Sequence, residues 1–110
     1  MADLDIGKVA KDMIAKAADI AKNGWKEIKE AVEVEFRGIA ERIGLILKAY
    51  ANKKFSKEQA RSHLRVAKGG VITTLAMVTM MTEAMITKIV NAALSIVKDA
   101  VNTAAKFALL

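Results

Sequence analysis

The chain contains no cysteine and no proline, only six glycines, and few aromatic residues, 5% of its 110 positions. Without cysteine there is no disulfide framework, thiol nucleophile or thiolate metal site. Without proline, and with so few glycines, little breaks the backbone into the many turns a β-sheet needs. The Glu-x-x-His pair that helical bundles repeat in di-metal carboxylate sites does not occur. The acids Glu27, Glu30, Glu33, Glu35 and Glu41 interleave with lysines and arginines, as a solvated face does. The single histidine, His63, lies in a basic segment, so no metal or cofactor is expected. Ser62 and His63 are adjacent, so on a helix they point about 100° apart. Ser56 fits a helix cap better than a nucleophile. Lys68-Gly69-Gly70 with Thr73 and Thr74 does not match the spacing of a phosphate loop. These absences lead to an expectation of no catalytic residue, no enzyme activity and no small-molecule substrate.

What the chain has in quantity is Ala, Ile, Val, Leu and Met; hydrophobic residues make up 54% of it. The expected fold is all-α, one domain over residues 1–110, an antiparallel helical hairpin or four-helix bundle with a long apolar C-terminal helix. Helices are expected at about 4–22, 25–51, 57–68 and 71–107. In the first, Ile6, Val9, Ala10, Met13, Ala17, Ile20 and Ala21 form one stripe, capped by Asp3 or Asp5 and stopped at Asn23-Gly24. In the second, Trp25, Ile28, Val32, Phe36, Ile39, Ile43, Ile46 and Tyr50 recur at spacings of three and four. Leu45 and Leu47 are expected to widen that stripe. Ser56 and Gln59 fit a capping box for the third helix. Gly69-Gly70 is expected to break or kink the helix, because glycine costs roughly 1 kcal/mol in a helix interior. In the last helix Lys88, Asn91, Ser95, Lys98, Asn102 and Lys106 make a polar line.

Charge is the second signal. From Lys48 to Lys68 seven basic residues stand against Glu58 alone, a local excess equal to the +6 of the whole chain. Lys54, Lys57, Arg61, Arg65 and Lys68 fall on one helical ridge, with Lys53 beside it. Lys53, Lys54, Lys57, Arg61, Arg65 and Lys68 are therefore the expected anion-binding residues, facing a nucleic-acid backbone or anionic lipid head groups. Few aromatics interleave with them, which disfavours a base-stacking platform.

The third signal is methionine. The uncharged run Gly69–Thr82 is too short to span a bilayer, which takes about 20 apolar residues. Its methionines face more directions than one small core can take up. Met77, Met80, Met81, Ala84, Met85, Leu109 and Leu110 are accordingly the expected interface with other copies of the chain or with lipid. Ala100, Ala104 and Ala108 add a line of small residues suited to close helix packing. The acidic start, Met1-Ala2-Asp3, does not read as a secretory signal.

In layout the chain resembles small helical proteins that build filaments or virion shells, with an apolar helical hairpin, a basic turn and no catalytic residues. That resemblance implies a self-assembling structural subunit, a virion coat or pilus-type filament protein, whose partners are copies of itself and a nucleic acid or anionic lipid. A virion or extracellular filament is the location it favours, with the cytoplasm as the alternative. Two further classes fit the same signals: a small nucleic-acid-binding bundle without sequence specificity, and a membrane-surface or membrane-active helical protein.

Overall fold

The apolar stripes resolve into four α-helices in the computed structural model, which describes residues 4–110. They are α1 (Ile6–Ala21), α2 (Trp25–Ala51), α3 (Lys57–Val78) and α4 (Glu83–Ala105). At the start of α1 an Asp5 carboxylate oxygen accepts the Lys8 backbone N–H at 3.0 Å; Asp3 lies outside the described residues. The α1 stripe buries Val9, Ala10, Met13 and Ala17, and one 3-10 turn, Lys22–Gly24, leads into α2. The two helices come close where Ile6 meets Gly44: a Cβ on Gly44 would sit 3.0 Å from the Ile6 Cδ1.

The α2 stripe buries Ile28, Val32, Phe36, Ile39, Ala40, Ile43, Ile46 and Leu47. Leu45 does not join it. It lies 62% exposed on the opposite side, because it stands two residues from each of the buried Ile43 and Leu47, a turn of about 200°. At the end of α2, Lys53 takes a left-handed conformation (φ 61°). The Lys54 N–H then reaches the Ala49 carbonyl at 2.8 Å, and the Lys53 N–H reaches that of Tyr50 at 3.0 Å. This paired C-terminal closure usually employs glycine.

The capping box opens α3, with Ser56 N–H donating to the Gln59 side chain at 2.8 Å and Gln59 N–H to the Ser56 hydroxyl at 3.1 Å. α3 does not end at Lys68. It continues through Gly69-Gly70 to Val78, so the expected helix over 71–107 does not form. The two glycines cost roughly 1 kcal/mol each. Val71 and Leu75 lie beyond them on the same buried stripe as Leu64, and burying each contributes about 1.5–3 kcal/mol. Tertiary burial therefore outweighs the local penalty. The chain reverses instead at residues 79–82. There the Thr79 hydroxyl donates to the Leu75 carbonyl at 2.7 Å and accepts the Met81 N–H at 3.3 Å. The Thr82 hydroxyl caps α4, accepting the Met85 N–H at 3.2 Å.

Consecutive helices are neighbours, and α1 packs on α4 to close the ring; α3 and α4 form its least extensive contact. The bundle measures 42 × 22 × 18 Å. Phe36, Met13, Ile43, Leu75 and Ile86 are among its most deeply buried side chains, and no charged or polar residue is buried among the described residues. The 106–110 segment folds back over α3 and α4. Lys106, at φ 66°, ends the helix, and Leu109 enters the core.

Candidate functional site

The weak α3–α4 contact leaves a groove of about 380 Å³. The capping box sets the start of α3, and the buried Ala60, Leu64, Val71 and Leu75 fix its rotation. Arg61, Arg65 and Lys68 are consequently turned towards α4, where they line the groove. The buried stripe of α4, including Val90, Leu94, Val97 and Val101, aims its polar line at the same place. Asn91, Ser95 and Lys98 complete the opposite wall, with Leu64, Leu94, Leu109 and Leu110 at the base. Four cations thus surround one groove that no Asp or Glu side chain lines.

The four are not equivalent. Arg61 is held on three sides. It bonds Glu58 at 3.0 Å, its Nε donates to the Ala108 carbonyl at 3.0 Å, and its guanidinium lies 5.3 Å from the Phe107 ring centre. Arg65, Lys68 and Lys98 have no ion-pair partner within 4.0 Å among the described residues. The other sequence-derived candidates lie nearer the α2–α3 turn. Lys57 is exposed with its ammonium 5.9 Å from the Phe107 ring centre. Lys53 and Lys54 are exposed in the turn itself and do not line the groove. His63 stacks on Phe55, centroids 4.3 Å apart, on the side of α3 turned away from the groove.

The tail completes the site's floor. The Asn102 side-chain oxygen accepts the backbone N–H groups of Leu109 and Leu110 at 3.0 and 2.9 Å. The Phe107 ring packs against Tyr50 at 4.5 Å. Leu109 is only 5% exposed, buried within its own chain, so its assignment to an intermolecular interface is corrected; Leu110 is half-buried beside it. An apolar tail with a side-chain amide within reach finds cover on its own helices.

The methionine candidates separate in the same way. Met81 packs partly against the core. Met77, Met80, Ala84 and Met85 remain exposed around the α3–α4 turn, Met80 completely so. Residues 77–85 there meet the α1–α2 turn around an apolar hollow lined by Ile20, Ile28, Met80, Met81 and Met85. This is the end of the bundle opposite Lys53 and Lys54.

Asn91, Ser95 and Lys98 are the groove residues that the basic ridge alone does not reveal. Their signal in the sequence is the α4 polar line. Only the packing of α3 beside α4 joins it to the ridge. Among the described residues no group of three or more His, Asp or Glu is placed to hold a metal ion, and no helix is long and apolar enough to cross a membrane. No protein-family model, curated protein or solved structure matches the chain.

Proposed function

We propose that the protein is a non-enzymatic helical subunit that holds the phosphate backbone of a nucleic acid along the α3–α4 face. The observation that carries this reading is the groove in which Arg65, Lys68 and Lys98 stand with Arg61 and without a lining Asp or Glu. Bringing like charges together costs free energy unless an anion offsets it. From Lys57 to Lys68 the ridge covers roughly 16 Å of helix axis, at 1.5 Å per residue. A duplex strand presents one phosphate per ~3.4 Å of its axis, so the ridge can meet several at once. The apolar base of the groove is already occupied by Leu109, which favours a phosphate chain over an acyl chain. Contacts of this kind position a nucleic acid without reading its sequence.

The test is a titration of short single-stranded and duplex oligonucleotides over a range of salt, followed by fluorescence anisotropy. Affinity is expected to fall linearly on a log–log plot. The triple variant Arg65→Gln, Lys68→Gln, Lys98→Gln should reduce the slope by about two to three, at about 0.7–0.9 per lost phosphate contact, and leave helicity unchanged. Equal binding by the triple variant, or binding only to anionic vesicles, would overturn the reading.

A second reading, a self-assembling subunit of a virion shell or filament, draws support from the apolar corner at Met77, Val78 and Met80. Light scattering with negative-stain imaging of the same sample separates the two: regular particles or filaments favour assembly, a small discrete species favours the nucleic-acid reading alone.

A further inference from the structure

The cations of α3 are gathered on its α4 side, and its opposite face has none. From Ser62 to Met77 the outward residues Ser62, His63, Val66, Gly69, Gly70 and Thr73 are all exposed, and none is a lysine, arginine or carboxylate. Val66 is 72% exposed, and Val34 on the neighbouring helix α2 is 67% exposed. Between them runs a shallow groove of about 490 Å³ in which Gly38 of α2 and Gly70 of α3 both take part. A Cβ added at Gly38, Gly69 or Gly70 would meet nothing within 4 Å. Nothing inside the chain therefore requires glycine at these helical positions, each of which weakens its helix. Glycine in a helix face lets another backbone approach closely.

The charges at the edge of this groove identify the occupant. Glu35 and Arg42 flank Gly38 on α2, three residues before it and four after, and both line the groove. Neither has an ion-pair partner within 4.0 Å among the described residues. A two-fold axis crossing α2 midway between Gly38 and Ile39, and α3 at Gly70, reverses their order in a second copy. Glu35 of each copy then faces Arg42 of the other, twice over, as a self-complementary interface demands. We infer that the α2–α3 face is the contact between two copies of this chain, with α2 antiparallel on α2 and α3 antiparallel on α3. Val66 then lies level with Thr74 of the other copy, and the glycines meet at the centre. This contact does not depend on the nucleic-acid reading, because the cationic groove lies on a different face and remains open.

Sedimentation equilibrium over a dilution series of the full chain tests it. The wild-type protein is expected to reach twice its 11.9 kDa chain mass and to dissociate on dilution. Glu35→Arg and Arg42→Glu should each weaken association by about tenfold or more, because each creates two like-charged pairs. The combined Glu35→Arg, Arg42→Glu variant should restore it. Gly70→Leu, which favours the helix locally, should also weaken association while circular dichroism stays helical. A monomer at every concentration would overturn the proposal. So would a dimer indifferent to the single charge reversals, or a combined variant no better than either single one.

Discussion

At the residue scale, a few polar side chains decide where chain ends and turns go. Asn102 shows this best. Its side-chain oxygen takes two backbone N–H groups of the returning tail and so holds Leu109 in the core. Asn102→Ala would leave both donors without that partner and loosen Leu109. A loss of about 1–3 kcal/mol is expected, read as a lower urea midpoint with little change in slope. An unchanged midpoint would mean that Leu109 and Phe107 hold the tail by packing alone. Arg61 belongs to the same assembly: its bonds to Glu58 and Ala108 make it a structural residue of the groove wall as well as a cation. Lysines at the left-handed positions 53 and 106 end two helices without glycine. That is why neither end carries the usual sequence mark.

At the scale of the element, helix α3 shows burial overriding propensity. Gly69-Gly70 has the composition of a break, yet Leu64, Val71 and Leu75 share one buried stripe across it. The Thr79 and Thr82 hydroxyls, which satisfy the backbone at the actual reversal, are the weaker mark in the sequence. The glycines themselves are not alike. Gly70→Ala, measured at a dilution where the chain is monomeric, should stabilise by about 0.5–1 kcal/mol, because the new methyl group meets nothing and the helix gains propensity. Gly44→Ala should gain less, since its methyl group presses on the Ile6 side chain at 3.0 Å. Thermal unfolding of the two variants checks this ordering. The reverse order would mean that α1 moves away from α2 without cost.

At the scale of the whole molecule, the bundle is polarised in two directions. Along its 42 Å length, lysines occupy the α2–α3 turn and methionines the α3–α4 turn at the other end. Around its girth, the cationic groove and the α2–α3 face, whose α3 side is uncharged, lie on two sides of α3. Unfolding would spread the groove charges apart, so their repulsion weakens the folded state. Sodium chloride should therefore raise the thermal midpoint by a few degrees between low and roughly physiological ionic strength, where the Debye length falls to about 8 Å. A midpoint that drops with salt would show that the exposed pairs such as Lys8–Asp12 outweigh the groove.

The helical class, the stripe of α2, the Ser56–Gln59 cap and the basic ridge are all legible in the chain itself. Each depends on residues no more than a few turns apart, and the 3.6-residue period maps them onto one face. The sequence therefore determined which residues share a side of each helix, and with them three of the four cations in the groove. Tertiary structure decided the rest: that α3 runs through its glycines, that Leu109 turns inward, and that Lys98 of α4 stands across from Arg65 and Lys68. Those outcomes depend on which helix lies beside which. That is settled by the summed burial of side chains far apart in the chain, a quantity no local spacing contains.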